Sequence, residues 1–95
     1  MAAYVIGEIE VTDPTTYAEY GRQVLATIEK FGGRFVVRGG AVEPLEGGWT
    51  PKRLVVLEFP TMAKAREWYR SAEYAPLINL RQKASRGKLL AVEGV

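Results

Sequence analysis

Apolar positions along this chain follow two periods that alternate in turn. Tyr4-Val5-Ile6-Gly7-Glu8-Ile9-Glu10-Val11 is rich in β-branched residues and alternates over its second half, which predicts a strand. Asp13-Pro14 stops it. Asp13 is suited to accept an orphan backbone N–H as an N-cap, and Pro14 takes the first helical position, where its missing donor costs nothing. Tyr17, Tyr20, Val24, Ile28 and Phe31 then recur every three or four residues, the stripe of a helix that Gly32-Gly33 ends. Arg34–Arg38 predicts a second short strand, with a continuation to Glu43 past Gly39-Gly40 left open. Pro44–Lys52, with Gly47, Gly48 and Pro51, reads as a loop. Arg53–Phe59 is the third and most apolar strand. Pro60-Thr61 caps a second helix whose buried stripe is Ala65, Trp68, Tyr69 and Ala72. Ser71–Tyr74 interrupts that helix, Pro76 starts a further turn or two through Lys83, and Lys88–Glu93 is the last strand.

The order βαββαβ predicts an α+β fold. It closes most readily as a four-stranded antiparallel sheet with both helices on one face, the ferredoxin-like plan, with the first and third strands central. Such a sheet normally alternates cleanly, because its second face meets water. This one does not. Leu54 and Val56 oppose Val55, Leu57 and Phe59; Leu90 and Val92 oppose Leu89 and Ala91; Tyr4 and Ile6 oppose Val5 and Ile9. Two helices cover one face only, and an uncovered apolar face on a soluble protein marks an interface. The expected cover is a second copy, the two sheets packing face to face about a two-fold axis.

Composition narrows the chemistry. Ninety-five residues, 47% hydrophobic and 25% charged, predict one domain spanning residues 1–95. Cysteine and histidine are both absent. That removes disulfides, thiol nucleophiles, Cys/His zinc sites, a protein histidine on haem and the Ser-His-Asp triad. Carboxylates are too scattered for a magnesium or calcium site, so no metal and no cofactor is expected. Met1–Gly7 lacks the basic n-region of a signal peptide, and no run approaches the roughly 20 apolar residues of a membrane span; a cytoplasmic protein with no membrane partner is the expectation. Net charge is +2, too small to imply a nucleic-acid partner, and the third strand lacks the aromatic motif of a ferredoxin-like RNA-binding domain. The positive excess gathers in Arg81, Lys83, Arg86 and Lys88, either an anion-attracting cluster or a solvated surface.

Several segments, in order and spacing, resemble the bacterial family known as domain of unknown function 1330. They are Tyr4–Pro14 with Tyr17 and Tyr20, Phe31–Gly40, Arg53–Pro60, Trp68-Tyr69-x-Ser71-x-x-Tyr74 and Leu80-Arg81. The resemblance runs from Tyr4 to about Glu93 and implies the dimeric α/β-barrel superfamily. Members include cofactor-free monooxygenases, small isomerases, and dehalogenating and haem-dependent enzymes, and their ligands generally sit between the helices and the sheet. The haem branch uses a histidine that this chain lacks.

Two constellations are candidates for a site. If the second and third strands form a hairpin around Gly47-Gly48, Arg38 falls opposite Glu58. Such a sheet-borne pair is either a binding group and its base, with Gly39 and Gly40 amides adding donors, or a structural ion pair fixing register. The second is aromatic: Tyr17, Tyr20, Trp68, Tyr69 and Tyr74 either line a pocket for a flat organic ligand or pack the core. Arg81 gates that pocket, binds its anion or caps a helix. The functional expectation is a homodimeric protein binding a small organic acid or oxygenated aromatic, with cofactor-free proton transfer or oxygenation as its chemistry. The alternative is a dimerisation or regulatory module without a ligand pocket.

Overall fold

The computed structural model describes all residues, Met1–Val95. Its elements are β1 (Ala3–Val11), α1 (Pro14–Lys30), β2 (Arg34–Arg38), β3 (Leu54–Phe59), α2 (Met62–Tyr69), α3 (Ala75–Ala84) and β4 (Ser85–Glu93). The strands form one antiparallel sheet in the order β2-β3-β1-β4, so β1 and β3 are central as the βαββαβ order requires. This is the ferredoxin-like fold.

Local chemistry sets the boundaries. The Asp13 carboxylate accepts from the Thr16 amide at α1, and the Thr61 hydroxyl accepts from the Lys64 amide at α2. Gly32, at φ 80, takes the left-handed turn that ends α1. After Arg70 the chain makes a tight turn instead of continuing the helix: the Ser71 hydroxyl donates to the Trp68 carbonyl and accepts from the Tyr74 amide. That turn changes the phase of the buried stripe. Ala65 and Trp68 are buried as the periodicity predicts, but Tyr74 and Leu77 continue the core, while Tyr69 and Ala72 lie exposed. Nor does β2 run on to Glu43. Gly39 has φ 72, which turns the chain out of the sheet into an irregular segment over residues 39–53.

The core lies between the helices and one sheet face. Val5, Leu57 and Phe59 project from the sheet onto Tyr20, Val24, Ile28, Trp68, Tyr74 and Leu77. The Trp68 indole N–H donates to the Thr27 hydroxyl at 3.0 Å, and that hydroxyl donates to the Val24 carbonyl, so α2 is pinned to α1 by a satisfied buried pair. No third layer exists: the Cα atoms extend 35 × 34 × 16 Å. On the uncovered face Tyr4, Ile6, Leu54 and Val56 are only half-buried, while Leu90 and Val92 are 59% and 44% exposed. No helix is long and apolar enough to cross a membrane.

Candidate functional site

A cavity lies between α1, α3 and the covered sheet face. Period-two alternation aims Val5, Val55, Leu57 and Leu89 into it, and the helical stripe brings Val24 and Ile28 down from above. Of the residues singled out in the sequence, Tyr17, Tyr20, Arg38, Trp68, Tyr74 and Arg81 line it together. About 50 Å3 of it is open to the centre of a water-sized sphere, within about 520 Å3 of unfilled space that includes its mouth.

Glu58 is elsewhere, which corrects the expected Arg38–Glu58 pair. Glu58 pairs with Arg34 across the ladder, and Arg38 falls opposite Val55. The two side chains therefore emerge on opposite faces of the sheet. The irregular segment between the strands is too long to dictate register, and a bulge supplies the rest. Phe35 opposes Leu57 but Val37 already opposes Val56, leaving Val36 as an extra residue. In a regular strand Phe35 and Arg38, three apart, would face opposite ways. Across the bulge they share a face, and the Arg38 guanidinium stacks over the Phe35 ring at 4.2 Å while donating to the Gly21 carbonyl at 3.0 Å. Glu58 instead accepts from Arg34 Nε at 2.7 Å and from the Tyr4 hydroxyl at 3.1 Å. Those two hydrogen bonds, the one from Arg34 first, hold its carboxyl below the usual range, and the bond to Glu58 raises the Tyr4 hydroxyl in turn.

Three further candidates lie outside the cavity. The Gly39 amide is not free, because it donates to the Leu54 carbonyl at 2.9 Å. Gly40 faces open space and Tyr69 is 40% exposed. The basic cluster also divides: Arg81 is buried in the cavity wall, whereas Lys83, Arg86 and Lys88 are exposed.

The hydroxyls of Tyr20 and Tyr74 meet at 2.8 Å inside the wall. Burial raises the pKa of both above the ordinary tyrosine value; at Tyr20 the neighbouring Tyr74 adds to the shift, and at Tyr74 the hydrogen bond with Tyr20, then the charge and hydrogen bond of Arg81, oppose it. Both therefore stay protonated at neutral pH. The Tyr17 and Tyr20 rings lie 5.5 Å apart and the Trp68 and Tyr74 rings 4.1 Å apart, so the wall is a continuous aromatic surface.

One residue was missed in the sequence. Arg53 precedes β3, lines the cavity and sits 5.6 Å from the centre of the Tyr17 ring. The signal was present: position 53 is in phase with Val55, Leu57 and Phe59, all on the covered face. The cavity thus carries three arginines, 38, 53 and 81, and no acidic residue. None of the three makes a salt bridge. Chemically, such a lining can hold a negative charge and donate hydrogen bonds, but it offers no carboxylate or imidazole to act as a base.

The fold recurs among solved structures of low sequence identity. A protein of unknown function from Rhodopseudomonas palustris superposes with a TM-score of 0.78 at 20% identity, over 99% of this chain and 82% of the other. SnoaB, a cofactor-independent oxygenase from Streptomyces nogalater, gives 0.68 at 11% identity, over 99% and 93%. A putative antibiotic biosynthesis monooxygenase from Nitrosomonas europaea gives 0.61 at 18% identity, over 100% and 99%. No curated protein matches the chain in sequence. The family model described as domain of unknown function (DUF1330) matches residues 2–95, nearly the full length, and the chain belongs to that family.

Proposed function

We propose that the protein is a homodimer in which each copy binds a small organic acid or oxygenated aromatic in the cavity beneath its helices. One observation carries the reading: three arginines without acidic partners and a buried pair of tyrosine hydroxyls converge on a cavity whose other walls are apolar and aromatic. A few convergent polar groups in an apolar, concave setting are the usual signature of a small-molecule site.

The chemistry follows from what the lining contains. Tyr20 and Tyr74 hold their protons and no carboxylate is at hand, so the site acts by stabilising the ionised form of its ligand and not by removing a proton itself. This reading leaves Glu58, on the other sheet face, out of the chemistry. Of the two cofactor-free chemistries, oxygenation by dioxygen of a ligand that ionises readily fits such a lining better than proton transfer, and SnoaB provides a cofactor-independent oxygenase on the same fold.

The sheet supports the dimer. Its uncovered face presents Tyr4, Ile6, Leu54, Val56, Leu90 and Val92, and burying each large side chain is worth roughly 1.5–3 kcal/mol. A second copy stacked there supplies the missing layer, with the Tyr4-Glu58-Arg34 group available to fix its orientation.

One observation favours the second reading, a dimerisation module with a filled interior: the water-accessible part of the cavity is only about 50 Å3. A ligand screen separates the two. With Trp49 replaced by phenylalanine, Trp68 is the sole tryptophan, and it lines the cavity. Small organic acids and oxygenated aromatics are expected to change Trp68 fluorescence and raise the melting temperature by several degrees at millimolar concentration. If no member of the panel moves either signal while the dimer persists, the module reading replaces the ligand-binding one.

A further inference from the structure

Resting on the reading of this cavity as a ligand pocket, we infer that its ligand is an organic carboxylate, recognised by Arg81. Arg81 is 8% exposed, its Nε has no hydrogen-bond partner, and no acidic residue lies within salt-bridge reach of it. A lysine in that position would lose its proton and relieve the burial. An arginine does not, because its guanidinium stays charged at any accessible pH. A buried, uncompensated cation opposes folding, and an apolar side chain of similar volume would be the more stable choice. The last turn of α3 and the Tyr74 hydroxyl ease this charge, but no acidic side chain neutralises it; the anion that answers Arg81 is one the cavity receives.

Arg53 repeats the observation independently. Its Nε is buried without a partner. Its guanidinium lies between the Tyr17 ring and Gly39, where any Cβ would collide with it and where the positive φ already disfavours a side chain. Gly39 thus leaves room for a guanidinium whose Nε has no partner. Arg38, more exposed, adds a third positive charge to the same lining.

The form of the anion follows from the rest of the wall. Twelve of its 17 lining residues are hydrophobic, so only the recognised end of the ligand is charged and the remainder is apolar. A free phosphate would leave those walls unmatched. A planar carboxylate fits the guanidinium fork and presents its carbon skeleton to Trp68 and the tyrosine rings.

Calorimetric titration of the full-length protein with benzoate and acetate, each against its own amide, and with inorganic phosphate tests this. At least one carboxylate is expected to bind tenfold or more tightly than its amide, with phosphate no tighter than the amides. In Arg81→Met that preference falls below threefold, while the ligand-free melting temperature stays level or rises, as relief of a buried charge requires. Arg81→Lys, which keeps a cation but loses the fork, gives an intermediate preference and serves if the methionine variant does not fold. Acid and amide binding alike would overturn the carboxylate assignment while leaving the pocket intact. Phosphate binding as tightly as benzoate would make this an inorganic-anion site. A preference that survives both Arg81 variants would remove Arg81 from recognition. Binding by none of the five probes would overturn the pocket and the carboxylate together.

Discussion

Tyr20 and Tyr74 show how much hangs on two oxygen atoms. Each hydroxyl is buried and each is the other's partner, so neither desolvation is left uncompensated. Tyr74→Phe leaves the Tyr20 hydroxyl without its partner and should cost about 1–3 kcal/mol in urea unfolding. Tyr20→Phe/Tyr74→Phe removes both groups together and should recover most of that loss. The same pair sets an alkaline limit. Both folded-state pKa values are raised, by burial first, so both contribute stability that is present below the ordinary tyrosine value of 10.0 and lost as the pH rises past it. The urea midpoint is expected to fall from about pH 9 to about pH 11, and to fall less in the double phenylalanine variant. An equal fall in both proteins would show that these hydroxyls are not the buried pair described here.

At the scale of elements, the strand and helix pattern was legible because its punctuation is chemical. Asp13-Pro14, Gly32-Gly33 and Pro60-Thr61 stand where the chain must change conformation, and the structure turns at each. The doubly apolar strands were legible for a similar reason, since period two assigns every residue of β1, β3 and β4 to a face. The β2 register was not. Arg34-Phe-Val-Val-Arg38 carries no glycine to mark the bulge at Val36, and residues 39–53 form no tight hairpin to fix the pairing. One extra residue decided which side of the sheet Arg38 serves, and hence which arginine meets Glu58. Likewise the turn at Ser71 passed the buried position from Tyr69 to Tyr74, a change of phase that a helical wheel cannot show. The corrected register has a direct consequence for Glu58. Arg34→Ala should raise its carboxyl pKa toward the ordinary glutamate value, and Arg38→Ala should leave it unmoved, as followed by carbon NMR of the carboxyl group. Because the folded-state value is depressed, the stability Glu58 contributes is present above its unfolded pKa and lost as the pH falls through the folded one. A Glu58 that responds to Arg38 instead would restore the pairing rejected above.

The whole molecule divides its work between two sides of one thin sheet. The covered side encloses a cavity with three arginines and no acid; the bare side sets an apolar group, Tyr4, Ile6, Leu54, Val56, Leu90 and Val92, beside charged residues, and only 16 Å separates the extremes of the Cα slab. A protein that stayed single would leave Leu90 and Val92 exposed to water and Ile6 and Val56 only half-buried. Sedimentation equilibrium at micromolar concentration tests this most directly. A mass twice the 10.5 kDa of the chain is expected, falling to a single chain in Val56→Arg with the helical content retained. A wild-type protein that sediments as one 10.5 kDa chain across that range would contradict it.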